Sequence, residues 1–159
     1  MATDILLVSD FEQFKGEASR HGQKNAIDVQ SFTFGASRIS QYGGHSERRA
    51  PAFTTLDVTA AVDTGTARLL SIFSTNEEIP EIALMQFRAG GDDDVVLWKM
   101  TMRNALVDSV KFSGGEGASP AICSFSLSYR KVDFEALPQS GAGQQGASVF
   151  VAIDLTVAK

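Results

Sequence analysis

The sequence lacks a second cysteine, a cluster of positive charge and a long hydrophobic run. A single cysteine, Cys123, excludes an internal disulfide framework. No apolar run approaches the roughly 20 residues of a membrane-spanning helix, so membrane insertion is not expected. The net charge is −5 and no basic stripe is present, which argues against binding to nucleic acid. With 43% hydrophobic and 21% charged residues, the composition is typical of a globular protein, and the length predicts one domain over residues 1–159.

The N-terminus does not have the pattern of a cleaved secretory leader. Its apolar run, Ile5 to Val8, is short and is flanked by Asp4 and Asp10. A leader of that kind has a basic start and a longer apolar core. We therefore expect synthesis and assembly in the cytoplasm and, if the protein leaves the cell, secretion without a cleaved signal peptide.

Residues that usually carry catalysis or bind metals are scarce. His21 and His45 are the only histidines, and neither has the paired spacing of a zinc site. The stretch "SGGEGASP" lacks the lysine of a phosphate-binding loop, and the "DDD" at 92–94 lacks the spacing of a calcium loop. A Cys–His pair is disfavoured, because Cys123 lies within an alternating strand pattern that indicates burial. The sequence thus predicts no catalytic residue, no metal and no cofactor.

Most of the chain alternates between apolar and polar residues with period two, which indicates β-strands. One stretch fits a short helix instead, with Asp63, Thr64 or Thr66 available as its cap and Pro80 beyond its end. Hairpins at this spacing indicate a mainly β fold, either a sandwich or a closed barrel. The predicted strands are 4–8, 26–34, 53–60, 81–88, 95–102, 104–112, 121–134 and 148–157.

Two of the predicted strands change the parity of their apolar pattern partway along. In "AIDVQSFTF", Ile27 and Val29 lie on one parity and Phe32 and Phe34 on the other, which predicts a bulge. In "CSFSLSYRKVDF", a similar change predicts a kink near Arg130. The alternating serines of this strand face away from the core, but alternation alone leaves open whether they meet a neighbouring copy, the helix or water. They are Ser124, Ser126 and Ser128.

The segment 35–52 has no periodicity, and such a long irregular stretch is usually functional or disordered. It holds three arginines against one glutamate, and its net charge of +2 contrasts with an otherwise acidic chain. Unlike charges favour contacts between unlike surfaces. A solvated, partly disordered loop is the alternative interpretation.

Several stretches, in their order and spacing, resemble the Hcp family of the bacterial type VI secretion system. "KGEAS" followed by "IDVQSFTFG" is similar to the family's Gly-Glu-Ser turn and the strand after it, although the turn here is Gly16-Glu17-Ala18. "FTTLDVTAAVDTGTARLLSIF" is similar to the family's strand that runs into a single helix. "IPEIALMQFRAGG" and "LVDSVKFSGGEGASPAICSFSLSYRKVDF" are similar to its later hairpins. The resemblance covers nearly the whole chain.

This resemblance implies a small β-barrel of two packed antiparallel sheets with one short flanking helix. It implies a structural tube subunit rather than an enzyme. Copies of the chain form homohexameric rings, the rings stack into an expelled tube, and the channel can hold effector proteins. The implied partners are further copies of the chain, a spike protein, a contractile sheath and effectors.

Applied to this sequence, the resemblance places two groups of candidate site residues. Ser31 and Thr33 are expected to face the channel, because they lie opposite Phe32 and Phe34 on an alternating strand. Small neutral polar side chains suit a wall that must not trap cargo. The irregular loop is the candidate for ring-to-ring contact, through Arg38, Tyr42, His45, Arg48 and Arg49.

Two other functions compete with that of a tube subunit. The first is a monomeric β-barrel carrier of a small ligand, since a barrel of this size allows one cavity. Strands 81–88 and 95–102 argue against it, because they are apolar on both faces and so predict a second covered surface. The other, a secreted hydrolase, is disfavoured by the lack of catalytic groups.

Overall fold

A computed structural model describes residues 3–38, 51–88, 95–117, 120–137 and 148–155 of the chain. These residues form short and long β-strands and one α-helix. In chain order the elements are β1 (Thr3–Val8), β2 (Ala18–Arg20), β3 (Gln23–Thr33), β4 (Ala36–Ser37), β5 (Ala52–Phe53), β6 (Leu56–Ala61), α1 (Thr64–Thr75), β7 (Glu78–Arg88), β8 (Val96–Ser113), β9 (Ile122–Ser128), β10 (Lys131–Ala136) and β11 (Val149–Asp154).

Six strands close into an antiparallel barrel in the order β1-β3-β6-β9-β8-β7, and β7 pairs again with β1. Beyond the barrel, β10 pairs with β8 and β11 pairs with β10, so these two strands extend the sheet outward. The predicted small barrel with one helix is confirmed. The two packed walls of that prediction are parts of one continuous sheet.

Buried side chains from all six barrel strands fill the interior, as expected for a barrel of this size. Cys123 is among them with no exposed surface, as its place in the alternating strand predicted. A carrier would need an open interior, so this packing counts against a ligand inside the barrel. The largest fully buried members are Leu7, Phe14, Ile27, Leu56, Leu69, Ile72, Ile79, Ile82, Leu84 and Met100.

The helix α1 begins at a capping box, and its N-cap is Asp63, one of the three predicted caps. The side chain of Asp63 accepts a hydrogen bond from the backbone N–H of Thr66, and the Thr66 hydroxyl accepts one from the N–H of Asp63. Gly65 lies so close to Gly16 that an added Cβ would stand 2.7 Å from the Gly16 Cα. A Cβ on Gly16 itself would stand 2.0 Å from the carbonyl oxygen of Ala26, so the turn that resembles the family motif holds glycine because the backbone of β3 passes directly against it.

The predicted bends are present, but the strands differ in two places: two predicted strands join into one, and the predicted strand 121–134 is divided into β9 and β10 near Arg130. Pairing of β3 with β6 shifts register between Val29 and Ser31, which confirms the predicted bulge. The predicted strands 95–102 and 104–112 are instead one continuous strand, β8. Asn104 adopts a left-handed conformation with φ of 54°, so β8 bends there without ending. Opposite this bend the chain leaves β9 and enters β10, where the kink near Arg130 was expected.

Both faces of β7 are covered, as the sequence predicted, but the second cover comes from the same chain. Ile82 and Leu84 face the barrel interior, whereas Met85 and Phe87 form a separate cluster with Leu6. The β2–β3 segment closes over this cluster. His21 stacks on Phe87 with ring centroids 4.5 Å apart, and its Nε2 lies 2.9 Å from a carboxylate oxygen of Asp4. The two-faced pattern is therefore explained within one copy.

Candidate functional site

The end of β3 presents polar side chains to the outside of the barrel. Beyond the bulge, Phe32 and Phe34 pack against the barrel core, while Ser31 and Thr33 are exposed. The ring of Phe32 lies 5.2 Å from that of Trp98, which fixes its inward position. Because the side chains of a strand alternate between faces, the two hydroxyl residues point away from the core.

The register of the neighbouring strands places these two residues in a larger polar surface. Thr33 pairs with Asp57, Ser31 pairs with Thr59, and each row continues across β9 to β8. Six of the eight side chains carry hydroxyl groups. The first row is Thr33–Asp57–Ser126–Ser109 and the second is Ser31–Thr59–Ser124–Lys111. These eight side chains are named the hydroxyl face.

Hydrogen bonds between side chains hold parts of the hydroxyl face in place. The hydroxyl oxygens of Ser109 and Ser126 are 2.6 Å apart, and the Thr55 hydroxyl donates to the Asp57 carboxylate at 3.0 Å. Just beyond the face, the Ser128 hydroxyl donates to Asp108 at 3.1 Å. Ser126 and Ser128 of β9 thus bond to side chains of β8 in the same copy.

The hydroxyl face carries one negative and one positive side chain, Asp57 and Lys111, so its charges cancel. Directly beneath it, an apolar row from the same four strands joins the core: Phe32, Val58, Phe125 and Val110. The surface between the strands forms a shallow groove of about 270 Å³ lined by all eight side chains. This surface can exchange hydrogen bonds with many partners without attracting one sign of charge.

Chemistry at this surface is limited by its residue types. None of the eight side chains is a histidine or a cysteine, and neutral serine needs an adjacent base to act as a nucleophile. Of the two histidines, His21 lies within the described residues, and its Nε2 is 2.9 Å from a carboxylate oxygen of Asp4. Burial, with a smaller effect from the charge of Asp63, raises the pKa of the Cys123 thiol to about 11, which makes it a poor nucleophile near neutral pH.

The described residues hold neither a metal site nor a membrane-spanning helix. No group of three or more histidine, cysteine, aspartate or glutamate residues could hold a metal ion there. Within the same ranges, no helix is both long enough and apolar enough to cross a bilayer. The "DDD" at 92–94 lies outside the described residues.

The irregular segment 35–52 is anchored to the barrel at both ends. The short strands β4 and β5 pair through Ala36↔Phe53 and Ser37↔Ala52, a pairing that the sequence did not reveal. Thr54 is held by the Tyr129 hydroxyl, which donates to its carbonyl oxygen at 2.8 Å, and burial raises the pKa of Tyr129 to about 12.

Of the predicted stacking residues, only one can be located. Arg38 directly follows β4 and is exposed. The other four lie outside the described residues: Tyr42, His45, Arg48 and Arg49.

The rest of the hydroxyl face could not be predicted, because the sequence does not show the register in which the strands pair. Asp57 and Thr59 show as the polar side of a strand, yet nothing in the sequence places them beside Ser31 or Ser124. Lys111 and Ser109 become part of the surface only because β8 pairs with β9 after a shift between Val107 and Ser109.

The sequence model of the family described as "Type VI secretion system effector, Hcp" matches residues 8–135. No relative was found among curated proteins. Solved structures with the same fold cover nearly the whole chain. A type six secretion system protein has a TM-score of 0.89 at 23% identity over 99% of both chains. Hcp1 from Salmonella typhimurium has a TM-score of 0.80 at 22% identity, over 98% of this chain and 97% of its own. A type VI secretion system effector from Yersinia pestis has a TM-score of 0.76 at 13% identity, over 95% of this chain and 99% of its own.

Proposed function

This chain belongs to the Hcp family and is a structural tube subunit of a type VI secretion system, and we propose that its hydroxyl face lines the channel of a hexameric ring. In this proposal Ser31 and Thr33 face the channel together with the serines of β9. The chain acts as a single domain over residues 1–159. Effector proteins sit against the channel wall before they are expelled with the tube.

The observation that carries this proposal is the composition of the two rows. Across four neighbouring strands the outward-facing positions hold six short hydroxyl side chains, one carboxylate and one ammonium group, with no net charge. Short side chains leave the channel open, and each hydroxyl can donate or accept a hydrogen bond. Such a wall contacts many cargo surfaces weakly. It has no strong field that would hold one cargo in place or repel another.

The test enlarges one side chain of the wall. Thr33→Trp places a bulky ring on the exposed surface, so we expect rings to assemble normally and to retain less effector when purified from cells of the source bacterium. The measurement is the amount of effector that copurifies with each ring. Thr75→Trp on the exposed side of α1 is the matched control and should retain effector as the unmodified chain does. Normal retention of every ring-bound effector by the Thr33→Trp rings would contradict this placement.

Stacking of rings is assigned to the basic loop. The residues proposed for ring-to-ring contact are Arg38, Tyr42, His45, Arg48 and Arg49. Two observations support the assignment: the loop is basic in an acidic chain, and its base is anchored to the barrel through β4, β5 and Tyr129. An anchored base lets a force on the loop reach the barrel.

The remaining partners and the route follow from the same proposal. A spike protein caps the tube, a contractile sheath drives it, and effectors travel inside it. Rings assemble in the cytoplasm, and the secretion system itself expels them. The subunit performs no catalysis, since its task is to form a wall, and the hydroxyl face supplies contact rather than reaction. It needs no cofactor for that task.

A further inference from the structure

A polar groove lies on the outside of the barrel and is distinct from the hydroxyl face. It has a volume of about 540 Å³ and opens over β7 and β8, between the loop that follows β1 and the first residues of β3. A groove of this size fits a small molecule or a short peptide. None of its lining residues belongs to the hydroxyl face. Its charged residues are Asp10, Glu12, Glu81, Lys15, Lys24 and Lys99.

The floor of the groove is formed by the outer side of β7. Ala83 and Met85 lie there, nearly buried, and make the middle of the floor apolar. Glu81 stands at one end of this row. Lys99 stands at the other end, because this residue of β8 pairs with Met85. The levels of Glu81 and Lys99 on the sheet therefore differ by four residues, which corresponds to about 13 Å along the strand.

Carboxylates gather at the Glu81 end of the groove. The Ser9 hydroxyl donates to the backbone carbonyl of Glu81, which holds the loop after β1 against this end of the floor. Asp10 and Glu12 follow in the same loop and line the groove. None of the three carboxylates forms an ion pair within the described part of the chain. Their negative charges favour a cationic group at this end.

Amine and amide groups gather at the Lys99 end. His21 stacks on Phe87, which lies at this end of β7, so the chain that follows His21 enters the groove here and brings Gln23 and then Lys24 to its wall. Lys99 is half-buried and has no hydrogen bond or ion pair in the ranges that the structure describes. A half-buried ammonium group without a partner favours an anionic ligand.

The walls of the groove are held in place by contacts within one copy. In the loop after β1, Phe14 is buried in the core, and the Gln13 amide donates to the Glu77 carboxylate at 3.3 Å. The loop is also joined to β3, because the backbone N–H of Gly16 donates to the carbonyl of Asn25 at 2.9 Å. A ligand would therefore enter a preformed site, and little conformational entropy of the protein would be lost on binding.

We propose that this groove binds a short, extended peptide of about four residues with free ends. A ligand of one charge sign would be repelled at one end of the groove, whereas a peptide with an ammonium group and a carboxylate matches both ends. The ammonium group lies at the Glu81 end, the carboxylate at the Lys99 end, and the middle of the peptide over Ala83 and Met85. An extended chain spans about 3.3–3.6 Å per residue, so about four residues join the two ends.

This site goes beyond the proposed function, because it depends neither on the ring nor on the channel. The first test uses the unmodified chain and a peptide of four alanines, with binding measured by isothermal titration calorimetry. We expect acetylation of the amino end, or amidation of the carboxyl end, to weaken binding by at least about five-fold. Equal binding of the free and the doubly blocked peptide would overturn the proposal. So would an absence of binding of the free peptide at roughly 10 mM.

Two substitutions then locate the ends of the peptide. In Glu81→Gln the acetyl group should no longer weaken binding, and in Lys99→Met the amide should no longer do so, because each variant already lacks the charge that pairs with the blocked end. The matched controls Glu116→Gln and Lys131→Met, at exposed positions outside the groove, should keep the five-fold effect of each blocking group, roughly as in the unmodified chain.

Far-ultraviolet circular dichroism checks that each variant is folded. If both blocking groups still weaken binding to folded Glu81→Gln and Lys99→Met, the peptide binds elsewhere and the site is wrong. The blocked peptides on the unmodified chain decide the proposal even where a variant does not fold.

Discussion

The hydroxyl face and the apolar side of the two outer strands, β10 and β11, belong to one continuous sheet and have opposite chemistry. In the hydroxyl face the polar side of each strand is outside and the apolar side fills the barrel. In the outer strands the apolar row continues past Val132 to Phe134 and Val151, but the barrel has already closed, so this side has no interior to fill. Phe150, on the other side of β11, is exposed as well. What differs is whether a strand belongs to the closed six-stranded barrel.

This comparison indicates how folding stability is distributed within one copy. The strands of the hydroxyl face contribute to folding stability, because a buried apolar row lies directly beneath it. Phe134, Val149 and Val151 of the outer strands add little to the fold of a single copy, because much of their surface stays in water. Changes under the hydroxyl face should therefore lower folding stability more than changes at these exposed positions.

The largest effect is expected from truncating one phenylalanine in each region. Phe125, beneath the hydroxyl face, is 2% exposed, whereas Phe134 of β10 is 37% exposed. We expect Phe125→Ala to lower the free energy of unfolding by about 3–5 kcal/mol, and Phe134→Ala by about 1 kcal/mol, in dilute single copies. Urea unfolding measures both. Each variant serves as the control for the other, and equal losses would remove the distinction between the two regions.

Charge reversal in the basic loop should separate stacking from ring closure. In Arg48→Glu/Arg49→Glu the loop changes from basic to acidic, so we expect about ten-fold or more loss of tubes, with hexameric rings retained. Electron microscopy counts the tubes and sedimentation measures the rings. Lys24→Glu/Arg68→Glu, at two exposed positions outside segment 35–52, keeps the same change in net charge and should still form tubes. Unchanged tubes after the loop reversal would be evidence against this role of the loop.

The smallest effect is expected from alkaline pH, and it belongs to the region beneath the hydroxyl face. Burial raises the pKa of Cys123 from 9.0 to about 11, so the folded state favours the neutral thiol. This contribution to stability is complete below pH 9 and is lost as the pH rises towards 11. It amounts to roughly 3 kcal/mol at most. Urea unfolding of the unmodified chain at successive pH values should show the loss.

Cys123→Ala is the control for the alkaline effect. This variant has a lower stability at neutral pH because it leaves a small cavity, but it should lose less stability between pH 9 and 11 than the unmodified chain. Tyr129, whose pKa is raised to about 12 by burial, acts equally in both chains. An identical pH dependence of the two chains would show that the thiol does not contribute.

The strands and the helix could largely be read from the sequence, because their signals are local. Period two marks a strand whatever it pairs with, and Asp63 caps the helix through a residue three positions away. The bulge after Val29 showed as a change of parity. The merging of two predicted strands into β8 could not be seen, because Asn104 bends the strand without breaking its pairing.

Only part of the candidate site could be predicted. Ser31 and Thr33 were found as the polar side of a strand, but their companions Asp57, Ser109 and Lys111 come from strands far along the chain. The period-two pattern that predicts strand 148–157 also places Val149, Val151 and Ile153 on one apolar face. Its exposure could not be predicted, since an apolar face looks the same in the sequence whether it is buried inside a barrel or lies beyond it.

The sequence by itself determined which side of each strand is apolar, where the helix begins and where strands bend, because each depends on residues close together in the chain. The tertiary structure alone decided which strands are neighbours, and hence that hydroxyl groups from four strands share one surface while the apolar side of β11 lies open. The physical reason is that strand pairing is made through backbone groups that are common to all residues. The choice of partner therefore depends on how the whole sheet closes around its core.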